Sequence, residues 1–306
     1  MKPDDINRSR ASDRFRHYLP LLYLPADRPG AEQLVVERAA LIEKFNVVIC
    51  LEDAVRVADR KDAARRVVEW LPSLPAVARR GLFIRPADDE MFRLIADSDG
   101  ADGVAGFVLP KASVASVSTW GSVLKGEQLL LPVLETRQVL EQQGRKDLAE
   151  VCAEHREVIP RVRIGANDLF SLLGGLRRPR GCTVYETPLA IVIDSLIEHF
   201  ACVGLPLSGC VFDRLDDSAT LLRECTADVS RGLFAKTALN PKQAEMIRES
   251  YRPDAFEIEE ARAILRPASP AVFALNGSML EPSCHASWAS KLLERANSFR
   301  GKMDEM

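Results

Sequence analysis

A closed (β/α)8 barrel, an α/β fold, is the class this 306-residue chain predicts, and three observations carry it. Apolar runs of strand length alternate with amphipathic helix-length segments throughout the first five-sixths of the chain. The runs hold about four to six apolar residues bounded by turn chemistry, as strands buried on both faces of a parallel sheet do. About eight such units in roughly 230 residues match a barrel, whereas an open doubly wound sheet, the alternative, usually has fewer strands.

Taken in order, residues 1–18 form a polar N-terminal arm of mixed charge, unlike a signal peptide. LLYLP (21–25) is the first strand, and a helix follows from Ala31 to Lys44. VVICLEDAV precedes a helix from Asp59 to Trp70, and LFIRP (82–86) leads into the segment Met91 to Ala96. VAGFVLPK (104–111) is followed by a short helix from Ser113 to Val123. LLLPVLETR, ending at Arg137, precedes a helix through Val151, and VRIGANDLF ends at Phe170. A Gly/Arg/Pro loop, GGLRRPRG, separates it from a helix from Pro188 to Val203. LSGCVFD (207–213) and GLFAKTALNP (232–241) supply the last two strands. The barrel is therefore expected over residues 19–252. Residues 253–306 read as a C-terminal extension: a helix, an extended excursion through SPAVFALNGSMLEP, and a closing amphipathic helix. Such an extension suits a lid or an inter-subunit arm.

Composition narrows the function classes. The chain is 47% hydrophobic and 28% charged, as in soluble globular proteins. A net charge of -3 gives no reason to expect nucleic acid or an anionic membrane as partner. No apolar stretch reaches membrane-spanning length. Seven cysteines without a CxxC pair suggest reduced thiols and a cytoplasmic location.

The chemistry is expected at the carboxyl-terminal strand ends, where barrels bind ligands. Those ends are polar here: Glu52 and Asp53, Arg85, Lys111, Glu135, Asp168, and Lys236 toward Asn240. Glu135 and Asp168 on successive strands could share one Mg²⁺, or they could be helix N-caps. Arg85 could fork onto a substrate carboxylate or pair with Glu52 or Asp53 inside the barrel. Lys111 could bind substrate or be solvated. The loop Arg177–Arg180 could bind a phosphate or face water. The histidines His17, His155, His199 and His285 lie away from strand ends, and Ser171 and Ser208 lack triad partners. LLGGLRRPRG matches no nucleotide-binding pattern. A metal chelating a 2-oxo acid would favour enolate formation, hence carbon–carbon cleavage or formation beside a carbonyl.

The motifs YLPADRP, VVICLEDAV, LFIRP, GFVLPK, LPVLET, IGANDL and ALNPKQ, with NGSMLEP and the closing helix, occur in that order. In this the chain resembles citrate lyase β-subunit-like proteins of the HpcH/HpaI aldolase group, in the phosphoenolpyruvate/pyruvate-binding barrel superfamily. The resemblance implies a homotrimer or hexamer with Glu135 and Asp168 as Mg²⁺ ligands. It places Arg85 on the substrate carboxylate, with Glu52 and Asp53 at the same catalytic mouth, and backbone around Gly165, Ala166 and Asn167 on substrate oxygens. Glu281 stands where the family's extension carries an Asp resembling a catalytic acid delivered by a neighbour. Two other positions depart from the family pattern: Pro20–Leu21 replaces Arg-Ser, and Asn240 replaces His. The expected activity is Mg²⁺-dependent aldol or Claisen cleavage of a citryl-CoA- or malyl-CoA-like thioester or a hydroxy-2-oxo acid. Thioester hydrolysis on the same barrel and a non-catalytic carboxylate-binding subunit are the alternatives.

Overall fold

The computed structural model describes residues 19–41 and 44–299. The N-terminal arm with His17 falls outside that range, as do residues 42–43; the helix expected to reach Lys44 ends at Ala39. The chain divides into two compact units, one spanning Pro20–Ser250 and the other containing the segment from Tyr251 onward.

The first unit is the barrel. Its strands are β1 (Leu21–Pro25), β2 (Asn46–Cys50), β3 (Leu82–Arg85), β4 (Gly106–Leu109), β5 (Leu129–Leu134), β6 (Val162–Ile164), β7 (Leu207–Ser208) and β8 (Thr237–Ala238). They pair in parallel in the order β7-β6-β5-β4-β3-β2-β1-β8. A single parallel bridge, Gly209 to Lys236, joins the two ends of that order and closes the sheet. The helices are α1 (Ala31–Ala39), α2 (Arg60–Trp70), α3 (Ala76–Arg80), α4 (Asp89–Ala96), α5 (Val114–Val123), α6 (Gln142–Glu154), α7 (Ala166–Leu172), α8 (Leu189–Cys202), α9 (Ser218–Ser230) and α10 (Pro241–Ser250). The expected (β/α)8 barrel is thus the observed fold.

The last two strands are shorter than their apolar runs suggest. Gly209 donates its amide to Ala235, which sits at φ 68, and a left-handed residue cannot continue a ladder. Period-two alternation sends Leu21, Val48, Phe83, Val108, Leu131 and Val133 into one buried cluster inside the sheet. The outward-facing Phe107 packs edge-on against Phe92 of α4, and Phe92 stacks on Trp120 of α5 with centroids 4.0 Å apart.

The GGLRRPRG loop is exposed, Arg177 and Arg180 included, except at Arg178. Arg178 is buried and pairs with Glu224 of α9 at 3.1 Å. Its guanidinium also donates to the Val211 carbonyl and lies 4.9 Å from the centroid of the Phe212 ring. Glu224 additionally accepts from the Val184 amide at 2.7 Å and from Lys236 at 2.9 Å. Lys236 reaches Asp228 at 2.8 Å, and Tyr185 donates its hydroxyl to the same carboxylate. Lys236 therefore belongs to the layer between barrel and α9, not to the strand-end chemistry. Gly209 makes room for this packing, since a Cβ there would stand 2.7 Å from an Asp228 oxygen.

The second unit has its own small core. Helix α11 (Ala255–Ile264) and helix α12 (Pro282–Asn297) enclose Ala261, Ile264, Ala289 and Leu292 with Leu280. The expected extended excursion is a hairpin, β9 (Phe273–Leu275) and β10 (Ser278–Leu280). Its two-residue turn, Asn276–Gly277, has both φ angles positive, the backbone that tight hairpins need.

Removing one member of the Glu224 network should be costly because it strands buried cations. Glu224→Ala is expected to lower stability by about 3–5 kcal/mol in urea titrations, with Glu224→Gln recovering part of it.

Candidate functional site

Four strands deliver charged groups to one edge of the barrel. Glu52 follows β2, Arg85 ends β3, Lys111 follows β4 and Glu135 follows β5. The second nitrogen of the Arg85 guanidinium, Nη2, lies 2.6 Å from Glu52, 3.1 Å from Glu135 and 3.4 Å from Asp53. The Lys111 ammonium lies 2.5 Å from Glu52, 3.7 Å from Asp53 and 3.5 Å from Asp168 in the first turn of α7. The pairing of Arg85 with Glu52 and Asp53, one of its two sequence-level readings, is therefore present. Its Nε is buried without a hydrogen-bond partner.

Local backbone fixes this arrangement. Lys111 adopts φ 46, sparsely populated for a residue with a side chain. Its amide donates to Glu135 at 2.8 Å, which holds the turn in that conformation. Gly165 is required on steric grounds: a Cβ there would lie 2.1 Å from a Glu135 carboxylate oxygen. The Gly165 amide donates to the Leu134 carbonyl, so this residue serves the sheet and the Glu135 seat rather than offering a free amide. Ala166, Asn167 and Asp168 follow as the opening turn of α7.

Among the described residues, Glu52, Asp53, Glu135 and Asp168 meet Arg85 and Lys111 in ion pairs, and Arg60 and Arg163 act on Asp53 and Glu135 from farther away. Burial pushes the Glu135 carboxyl up to about 7, a shift the Arg85 guanidinium opposes and the neighbouring Asp168 charge reinforces. Burial alone would depress the Lys111 ammonium, yet the Glu52 carboxylate holds it above its ordinary value. No group of three or more His, Cys, Asp or Glu side chains among the described residues could enclose a metal. The available donors are a carboxylate pair, Glu135 and Asp168. That set suits a hard cation that keeps several waters.

Other residues singled out from sequence lie elsewhere. Glu281 precedes α12 in the second unit, where its amide donates to His285 Nδ1 at 3.1 Å. His155 ends α6 and His199 bonds the Ser195 carbonyl within α8. Asn240 accepts from the Gln243 amide at 2.9 Å and so acts as the N-cap of α10. Arg180 lines a small surface cavity of about 170 Å³ with Arg214, Asp216 and Asp217. Sequence reasoning passed over Tyr23 and Arg163, which meet inside the barrel. The available signal was alternation: Arg163 lies two residues before Gly165 on β6, hence on the same inward face.

Comparison with known proteins accords with this geometry. A family model described as C-C bond lyase of the TIM-barrel fold matches residues 20–300. Citrate lyase subunit beta of Haemophilus influenzae is 22% identical over 289 residues, covering 88% of this chain and 95% of that protein. Its counterpart from Escherichia coli K12 is 24% identical, covering 83% of this chain and 86% of that protein. Among solved structures, a citrate lyase from Burkholderia xenovorans superposes with a TM-score of 0.70 at 15% identity over 92% of both chains. A CitE protein from Mycobacterium tuberculosis, solved with magnesium, acetoacetate and coenzyme A, gives 0.65 at 23% identity over 91% of this chain and 98% of that one. The matched region runs from the first barrel strand to the end of α12, and the protein belongs to the TIM-barrel C-C bond lyase family, as a citrate lyase β-like carbon–carbon lyase.

Proposed function

We propose that the chain catalyses Mg²⁺-dependent aldol- or Claisen-type cleavage of a hydroxy acid or its CoA thioester, with a 2-oxo acid or related enolisable acid as one fragment. The observation that supports this most is that Glu135 and Asp168, delivered by successive strands, lie within electrostatic reach of each other at the barrel mouth. Glu135 and Asp168 would hold the ion, which supplies positive charge opposite the carbonyl oxygen on which charge develops. Several M. tuberculosis neighbours were solved with magnesium, which supports the same choice of ion.

The protein's own groups divide the remaining work. Arg85 is the guanidinium for a substrate carboxylate, and Glu52 and Glu135 orient it through Nη2. Lys111, held at the same mouth by Glu52, is positioned for a second substrate oxygen and would be released from Asp168 when that carboxylate takes a metal. Asp53 keeps 55% of its side chain exposed, so a carboxylate remains in contact with the solvent-filled mouth to exchange protons. The opening turn of α7, Ala166–Asp168, borders the same space. Glu281 is the acid that a neighbouring copy in a homo-oligomer, a trimer or hexamer, would bring to this mouth.

Calorimetric titration of oxaloacetate and pyruvate, with and without Mg²⁺, tests this reading. Binding is expected only with Mg²⁺, and Glu135→Gln or Asp168→Ala should weaken it by at least about tenfold, the loss of one charge-assisted ligand. Unchanged binding in both variants would sink the metal assignment. Gly165→Ala adds a Cβ where the Glu135 carboxylate stands, so it too should abolish Mg²⁺-dependent binding while the far-UV circular dichroism stays native.

A further inference from the structure

The basic loop between α7 and α8, GGLRRPRG, takes no part in the mouth chemistry, yet it is firmly tied. Arg178 is buried against Glu224 at 3.1 Å and donates to the Val211 carbonyl at 2.9 Å. The Arg178 carbonyl accepts from Arg214 Nη2 at 2.6 Å, and the Gly181 carbonyl accepts from Arg223 Nη1 at 3.1 Å. Between these anchors Pro179 has its φ fixed by its ring, and Gly181 sits at φ 70. The backbone on both sides of Arg180 is therefore held. The segment after β7 enters α9 through Asp216 and Asp217, and Asp217 caps that helix by accepting from the Thr220 amide at 3.0 Å. Both segments belong to β-to-α connections, the face on which such barrels bind ligands.

Arg180, Arg214, Asp216 and Asp217 line one cavity of about 170 Å³. Coulomb attraction draws unlike surface charges together, yet among the described residues neither of these arginines lies within ion-pair distance of either aspartate. The anchors account for two of the four. Arg214 is held by the Arg178 carbonyl, and Asp217 by the helix it caps. The side chains of Arg180 and Asp216 have no hydrogen-bond partner among the described residues. Two guanidiniums and two carboxylates thus face one small space without neutralising each other. Such a space has little preference for either sign alone, and it complements a molecule that carries both.

We infer that this cavity is a seat for a small α-amino acid zwitterion, with its carboxylate on Arg180 and Arg214 and its ammonium on Asp216. A planar carboxylate matches the donors of a guanidinium, and an ammonium, which only donates, matches a carboxylate, which only accepts. The volume lies below the roughly 300–1,000 Å³ of pockets for drug-sized ligands, so it suits a molecule of few heavy atoms. Arg178 positions the seat through its carbonyl and touches no ligand. The seat is independent of the lyase reading, since it uses none of the ion-paired groups at the mouth.

Calorimetric titration of L-alanine, acetate and ethylammonium into the full chain at constant ionic strength tests the seat. L-alanine is expected to bind about fivefold more tightly than either singly charged half, the upper range for one exposed ion pair. Arg180→Gln and Asp216→Asn should each lower L-alanine affinity by a similar factor. Both side chains are exposed, so urea titrations of the two variants should match the wild type. Acetate or inorganic phosphate binding as tightly as L-alanine would overturn the zwitterion seat in favour of a plain anion site. L-alanine affinity that survives both substitutions, or wild-type protein that does not bind L-alanine, would overturn it outright. The Mg²⁺-dependent oxaloacetate titration answers separately: its failure would end the lyase reading and leave the amino-acid seat standing.

Discussion

The Arg85 guanidinium, clamped between Glu52 and Glu135, is the contact on which the mouth of this barrel depends. It joins the ends of β2, β3 and β5, and Lys111 extends the chain of charges to Asp168 after β6. A buried ion pair gains little net stability, because desolvation offsets much of the Coulomb attraction. Its value here is positional. Glu52 and Glu135 are each nearly buried, so neither carboxylate can swing to water when a ligand exchanges one partner for another. The site can trade a Lys111 contact for a metal contact at Asp168 without rebuilding its backbone.

The Glu224 network on the outside of the barrel uses the same residue types to the opposite end. There Arg178 and Lys236 face Glu224 and Asp228, charges balance, and the side chains of all four are almost wholly buried. A balanced, closed network holds a loop against a helix and has no vacancy for a ligand. At the mouth, by contrast, Lys111 and Asp53 are half exposed and Asp168 is a third exposed. Access to solvent, not the mere presence of buried ions, separates the scaffold cluster from the one suited to chemistry.

Much of the fold was legible because β/α alternation writes itself into hydrophobic periodicity. β1 coincides with the run LLYLP, and β3 with LFIR. The strand-end rule also brought Glu52, Arg85, Lys111, Glu135 and Asp168 forward, and these lie within one cluster. Three features were not legible. The shortness of β7 and β8 comes from the backbone at Ala235, an ordinary residue in an unusual conformation. The fate of Arg178 depends on Glu224, 46 positions away, a separation that no local pattern bridges. Asn240, which stands where the family pattern has His, is a helix cap, and capping is a role Asn fills as readily as any residue.

Strand β6 shows how one short segment sets three depths of the barrel. Arg161, just before the strand, donates to the carbonyls of Leu207 and Phe234, so its charge is spread over backbone at the barrel floor. Two residues on, Arg163 donates to the Thr237 hydroxyl. Two residues further, Gly165 carries no side chain at all, and the Glu135 carboxylate fills the space. Alternation alone places these residues in one inward column. A one-residue slip of β6 would turn both arginines outward and put a β-branched side chain against Glu135, which the 2.1 Å approach at Gly165 forbids. The register of β6 is thus constrained by the site as much as by the sheet.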